Sequence, residues 1–104
     1  MTTQPIRIRA RWRQGITEVQ VLMPHPMETG LRLDETGQRV PLHHITDVTV
    51  TLGPRTVFAA RMGFAVSRDP LLTFRFSGAE VGQRLRVAWT DSRGAARADE
   101  ASIV

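Results

Sequence analysis

The chain has 104 residues and a mass of 11.6 kDa, which favours one domain spanning residues 1–104. Apolar residues make up 41% and charged residues 23%, which excludes a disordered chain, and no apolar run approaches the ~20 residues of a membrane span. The chain has no cysteine, which excludes disulfides, thiolate metal ligands and thiol nucleophiles. All fourteen basic residues are arginine, against ten acidic residues, so the net charge of +4 predicts a surface that attracts acidic partners.

The first predicted strand covers residues 6–13, where apolar and basic residues alternate. A period of two places the two sets on opposite faces of a strand. The apolar set is Ile6, Ile8, Ala10 and Trp12, and the basic set is Arg7, Arg9, Arg11 and Arg13. A turn at residues 14–15 and a second alternating segment up to residue 23 predict a hairpin.

Turn signals and short apolar alternations divide the rest of the chain. Pro24 and Pro26 end the second strand, and residues 31–40 predict a small protruding hairpin. Further strands are predicted around residues 47–52, 57–62, 72–76, 85–89 and 95–104. About seven short strands, with turns every 8–12 residues or so, predict an all-β sandwich. We expect Trp12, Phe74, Phe76 and Trp89 to be buried between its sheets.

The residues that could carry chemistry do not form a recognisable catalytic or metal-binding pattern. The three histidines are His25, His43 and His44. Adjacent histidines on a strand face opposite sides, and no Asp or Glu completes a metal-ligand spacing. No serine lies in a nucleophile elbow, and no glycine-rich phosphate loop is present. We therefore predict no enzymatic activity, no metal and no cofactor, with one histidine at the surface and one half-buried.

The arginine row of the first strand has three interpretations. Its guanidinium groups are spaced by about 6.6 Å along one face, twice the strand rise. The row is a solvated outer face, a contact surface for an acidic protein, or a phosphate-binding surface for nucleic acid. Nucleic-acid readers built on sheets use exposed aromatic rings, whereas Trp12 belongs to the opposite face, which disfavours nucleic acid.

The string His25, Pro26, Met27, Glu28, Thr29 and Gly30 is the most distinctive segment. A methionine between a proline and a turn is costly to expose unless something covers it. Either Met27 packs back over one end of the sandwich, or this loop is an edge at which a partner docks.

At this string the sequence resembles the SoxZ family, the cysteine-free subunit of the SoxYZ sulfur carrier of bacterial thiosulfate oxidation. The resemblance extends over about residues 15–103. It continues through Pro70 to Phe76, the Trp89-Thr90-Asp91 segment with Gly94, and residues 99–101.

The resemblance implies an immunoglobulin-like β-sandwich of about seven antiparallel strands and a non-catalytic role. It implies a heterodimer with a SoxY-like protein, which carries sulfur intermediates on a cysteine near the end of its C-terminal arm, and transient docking to Sox enzymes. It also implies a periplasmic location reached by export together with a signal-bearing partner. The first residues show no apolar leader or cleavage site and would on their own predict a cytoplasmic chain.

From the loop and its neighbours we predict the partner-binding residues. These are His25, Pro26, Met27, Glu28, Thr29 and Gly30, with Phe64 and Leu71 as apolar anchors. The alternative function is a basic β-module that binds nucleic acid or an acidic protein through the arginine-rich strand.

Overall fold

The structure, a computed structural model, describes residues 2–104, so Met1 of the predicted domain lies outside the described residues. It contains seven β-strands, all at positions that the alternation predicts, and residues 2–104 contain no helix. The strands are β1 (Arg7–Arg13), β2 (Ile16–Leu22), β3 (Ile45–Leu52), β4 (Arg55–Arg61), β5 (Leu71–Ser77), β6 (Arg84–Asp91) and β7 (Ala96–Ser102).

The strands form two antiparallel sheets that pack face to face. One sheet has the order β1-β2-β5 and the other the order β4-β3-β6-β7. This arrangement confirms the predicted all-β sandwich. Among residues 2–104 there is no helix long and apolar enough to cross a membrane.

The core lies between the two inner faces and follows the period-two pattern of the strands. Its fully buried members come from both sheets and include Val19, Val21, Val48, Val50, Leu85 and Val87. Across the sheets, the rings of Phe58 and Phe74 stack with centroids 4.6 Å apart. Trp89 is buried, and Phe74 and Phe76 are half-buried against the core, as predicted.

The burial of Trp12 was predicted wrongly, because 41% of this residue is exposed. Its register opposite Thr17 does place it in line with the buried positions of β1. However, β1 is an edge strand, and Trp12 stands one residue before its end, so little of the second sheet lies over it. Its backbone is paired there with the residues after β7: the Trp12 N–H donates to the carbonyl of Val104 over 2.8 Å.

The segment between β2 and β3 projects from the sandwich. Leu33 and Arg39 form an isolated antiparallel bridge around a turn at Asp34, which confirms the small hairpin. Its residues 31–39 are all exposed, and the molecule measures 53 × 20 × 19 Å. The hairpin is therefore anchored by its two ends, near residues 25–30 and 40–44, where the loop pairs with the approach to β3.

Candidate functional site

Three ionisable side chains meet at the end of the sandwich from which the hairpin projects. Asp91 is the last residue of β6, His25 follows β2 by three residues, and His43 precedes β3 by two. We call them the His–Asp–His cluster. Each is buried, with side-chain exposures of 1% for Asp91, 3% for His25 and 4% for His43. The prediction of one surface and one half-buried histidine is therefore wrong for His25 and His43.

The carboxylate of Asp91 organises the cluster. Its Oδ2 lies 3.0 Å from Nε2 of His25 and 2.7 Å from Nε2 of His43, so it accepts a hydrogen bond from each ring. Its Oδ1 accepts from the backbone N–H groups of Arg93 at 3.0 Å and Ala95 at 2.9 Å. Four donors thus converge on one buried carboxylate, which joins the loop after β2, the approach to β3 and the turn between β6 and β7.

These contacts set the protonation state of Asp91. Burial by itself would raise the pKa of its carboxyl, because a low-dielectric environment disfavours the charged form. The hydrogen bonds from His25 and His43, and those from the two backbone N–H groups, oppose burial and lower the pKa from 3.8 to about 2. Asp91 is consequently ionised at neutral pH.

The second ring nitrogen of His25 fixes its tautomer. The Nδ1 atom accepts a hydrogen bond from the backbone N–H of Met27 at 3.1 Å, so the proton of the neutral ring is on Nε2, facing Asp91. Burial lowers the pKa of His25, and the nearby His43 lowers it further, although the hydrogen bond to Asp91 acts in the opposite direction. The ring also packs edge-on against Trp89, with centroids 5.2 Å apart.

Two imidazoles and a carboxylate are also the donor set of many zinc and iron sites, and these ligand atoms lie within 4.8 Å of one another. A metal on Nε2 of His25 would require the ring proton on Nδ1, where it would face the N–H of Met27. That contact places two donors against each other. The geometry therefore fits a hydrogen-bonded cluster better than a metal centre.

Packing and hydrogen bonds within the protein hold the loop of residues 25–30 in place. Met27 has a positive φ of 48° and is only 5% exposed, because its side chain packs into the core. Its Sδ lies 3.3 Å from the N–H of Ile45 at the start of β3. Of the two outcomes expected for Met27, the structure shows the one in which it packs back over the end of the sandwich.

The remaining loop residues build the turn into the hairpin. Glu28 forms a backbone bridge with His43, and its carboxylate accepts hydrogen bonds from Nε and Nη2 of Arg32 at 2.7–3.2 Å. Thr29 Oγ1 accepts from the N–H of Leu31 at 3.1 Å. Gly30 has a φ of +82°, and a Cβ there would lie 3.4 Å from Cβ of Leu42. The requirements of folding therefore account for much of this motif.

The structure gathers most of the predicted partner-binding residues at this same end. The N–H of His25 donates to Oδ1 of Asp69 at 2.9 Å, next to Pro70 and Leu71. Pro26 is exposed, and so are Phe64 at 51% and Leu71 at 64%. Leu71 borders a groove of about 610 Å³ between the end of β4 and the start of β5. His25 and Met27, by contrast, offer almost no side-chain surface, and the partner-binding role of all eight residues stays a prediction.

Sequence reasoning did not find Asp91 as the partner of the two histidines. Asp91 lies 66 positions from His25 and 48 from His43, so no local spacing marks the cluster. His44 is half-buried, is not in the cluster, and its Nδ1 is buried with no hydrogen-bond partner among the described residues. The opposite orientation expected for adjacent histidines on a strand did correctly separate His43 from His44.

Comparisons with solved structures identify similar folds. One superoxide reductase in the oxidized state has a TM-score of 0.67 at 13% identity, and the alignment covers 98% of this chain and 89% of that one. The superoxide reductase (neelaredoxin) of Archaeoglobus fulgidus in the reduced form has a TM-score of 0.62 at 19% identity, covering 94% and 85%. At such low identity the likeness shows the fold alone.

Comparison of the sequence with protein families is more specific. No curated protein matches the chain. Residues 6–102, nearly the whole chain, match the family described as sulphur oxidation protein SoxZ. The match includes the loop of residues 25–30, the whole His–Asp–His cluster and all seven strands. The chain therefore belongs to the SoxZ family and takes part in sulfur oxidation.

Proposed function

We propose that the chain is the non-catalytic subunit of a SoxYZ-like sulfur carrier, in which it scaffolds a partner that bears the sulfur-carrying cysteine. The observation that carries this proposal is the SoxZ family match over residues 6–102. The complex would oxidise no substrate itself but would present carrier-bound sulfur, derived from a compound such as thiosulfate, to successive enzymes.

The chemistry of the chain supports a scaffolding role. Covalent carriage of sulfur on a protein uses a thiolate as the nucleophile, and this chain has no cysteine. The His–Asp–His cluster is buried, and Asp91 accepts hydrogen bonds from both rings, so its carboxylate serves to hold together the segments that meet there. The sulfur must then be held by another chain, and this one would position it.

The groove beside β5 is the binding site that we propose for that partner. It is lined by the end of β4, residues 62–63 and 66–70 and the start of β5, with Leu71 exposed on its rim. Phe64 does not line the groove, but it is exposed in the same loop next to it. The hydrogen bonds between His25 and Asp69 hold this loop against residues 23–25. Exposed apolar side chains on a braced support are suited to a stable interface, because burying them costs little reorganisation.

Co-purification tests the proposal and its interface together. The tagged chain is expressed in its native host, and proteins that remain bound are identified by mass spectrometry, with sulfur adducts sought on their cysteines. We expect a stoichiometric partner with one cysteine near its C-terminus. Phe64→Asp should remove most of that partner, because a carboxylate would be buried in an apolar contact.

Val81→Asp is the matched control. Val81 is 61% exposed and lies in the loop after β5, at the end of that strand opposite Leu71. It undergoes the same change from an exposed apolar side chain to a carboxylate, and should retain the partner. Recovery of the chain without any cysteine-bearing partner would refute the carrier function. Equal retention by both variants would move the interface away from Phe64.

We also propose that the chain works in the periplasm and arrives there bound to its partner. The support is the SoxZ family membership, since the partner would supply the export signal. Fractionation of cells with and without the partner's gene tests this. The chain should move from the periplasmic to the cytoplasmic fraction when the partner is deleted, and a periplasmic chain in its absence would contradict co-export.

A further inference from the structure

The outer face of the three-stranded sheet carries an unusual concentration of positive charge. The register places five arginines and one glutamate there, namely Arg7, Arg9, Arg11, Arg13, Arg75 and Glu18. We call these six residues with their sheet surface the arginine face. Its charge equals the whole formal net charge of the chain, +4.

Most of this charge is not neutralised within the chain. Glu18 pairs with Arg75, at 3.0 Å from its Nη2. None of the four arginines of β1 forms an ion pair or a side-chain hydrogen bond with any residue of the 2–104 range, and all four are exposed. With about 6.6 Å between successive positions, they form a row about 20 Å long.

The opposite outer face of the sandwich shows that this imbalance is not general. On the four-stranded sheet, Arg61 lies 3.8 Å from Asp47 and Arg84 lies 3.6 Å from Glu100. Arginines on that face have carboxylates on neighbouring strands. Across the β1 row, β2 offers a single carboxylate, Glu18 opposite Arg11, and its ion pair is with Arg75.

We propose that the arginine face docks an acidic surface or segment of a partner protein. Planar guanidinium groups in a row match carboxylates in geometry as well as in charge, and arginine is enriched in protein interfaces. Leu22 and Leu71 stand beside the row on the same face and border, with Arg7 and Arg9, a hollow of about 260 Å³. The partner thus meets a charged stripe with an apolar contact at one end.

The same face lacks what a nucleic-acid surface needs. No aromatic side chain projects from it in the described strands, because Trp12, Phe74 and Phe76 occupy the inward register of β1 and β5. Base stacking on exposed rings is therefore missing.

This proposal does not rest on the carrier function. The two proposed sites share Leu71 at the start of β5, but Arg9 and Arg11 lie at the middle of β1 and do not line the groove proposed for the cysteine-bearing partner. The double variant Arg9→Gln with Arg11→Gln should therefore keep the carrier partner through co-purification while it loses the acidic one.

A fluorescently labelled acidic peptide containing two leucines serves as the probe, titrated with the full chain at low salt and followed by anisotropy. An exposed ion pair changes a binding constant roughly two- to five-fold, so the double variant should bind about four- to twenty-five-fold more weakly. The matched control is Arg84→Gln with Arg86→Gln, which removes the same charge from β6 and should change binding less than two-fold.

Three results would overturn the proposal. The first is equal weakening in both double variants, which would show attraction to net charge alone. The second is tighter binding to a short DNA duplex, with a log–log salt slope near −0.9 for each phosphate contacted. The third is no binding of the peptide even at low salt.

Discussion

The loop of residues 25–30 and the arginine face differ in how far the chain satisfies its own polar groups. In the loop, His25 and Glu28 both have hydrogen-bond partners within the chain, and Met27 is packed in the core. On the arginine face, Arg9 and Arg11 are exposed and form no ion pair with any of residues 2–104. The loop has the more distinctive sequence, but it leaves fewer polar groups free for a partner than the arginine face does.

This difference shows that a distinctive sequence can be required either for folding or for binding. A loop with a positive φ at Met27 and Gly30, a buried ionised carboxylate beside it and a methionine in the core has strict requirements for folding. A charged strand face has almost no such folding requirements, because replacing an exposed arginine changes stability little. The free charges therefore point to binding more directly than the motif does, and four predictions test the comparison.

The largest effect is expected for Asp91→Ala. The substitution leaves the rings of His25 and His43 without their acceptor in a buried site, and two part-buried backbone N–H groups, which water can reach, also lose theirs. Unsatisfied buried donors cost about 1–3 kcal/mol each, so we expect a loss of about 3–5 kcal/mol in the free energy of unfolding. Urea denaturation at pH 7 measures it. Asp47→Ala, on the exposed pair with Arg61, is the control, and a similar loss there would contradict the role assigned to Asp91.

Met27→Ala should cost about 2–4 kcal/mol, because it removes a buried side chain and leaves a cavity under the loop. Leu31→Ala, at a residue 65% exposed in the same segment, should cost less than about 0.5 kcal/mol. Thermal unfolding of both variants gives the comparison. A negligible change for Met27→Ala would mean that the loop is not packed as described. For the same reason, Met27→Asp is a test of folding rather than of the partner interface.

Acid should destabilise the protein in two steps. The folded-state pKa of His25 is below its ordinary 6.5, so the unfolded chain binds that proton first and stability begins to fall as the pH drops through 6.5. The pKa of Asp91 is about 2 against 3.8, which corresponds to about 2 kcal/mol that is present above pH 4 and lost towards pH 2.

Unfolding measured across pH 2–7 tests this sequence of steps. Asp91→Asn, which cannot titrate, should lose less stability than the wild type between pH 4 and pH 2, the remaining loss coming from the other carboxyl groups whose pKa is lowered, Glu28, Asp34 and Asp99. A wild-type chain whose stability does not change between pH 4 and pH 2 would show that the carboxylate is not held as described.

The smallest effect on stability is expected on the arginine face. Replacing Arg9 and Arg11 by glutamine should change the free energy of unfolding by less than about 0.5 kcal/mol, because both side chains are exposed and neither has an ion pair or side-chain hydrogen bond within residues 2–104. Urea unfolding of the double variant measures this. A loss above 1 kcal/mol would indicate a structural role for the row and would weaken its use in binding.

The strands and turns were accessible from the sequence because their signals are local. Alternation of apolar residues with period two records burial on one face, as in residues 16–22 and 84–91, and the register in the sheets agrees with it. The tight turn at Gln14 and Gly15, both with positive φ, also follows from local preference. The same reasoning overestimated the burial of Trp12, since alternation indicates which face of the strand a residue is on but not whether another sheet covers that residue.

By itself, then, the sequence determined the sandwich, the positions of its strands and the resemblance to the SoxZ family. The tertiary structure alone decided that His25, His43 and Asp91 share one buried site, because three segments far apart in the chain meet there only after the sheets pack. It also decided that the β1 arginines form no ion pairs within the described part of the chain, since ion pairing across strands depends on the register between them. Local sequence patterns determine which face of a strand each residue is on. Contacts between distant segments depend on how the strands pair and the sheets pack.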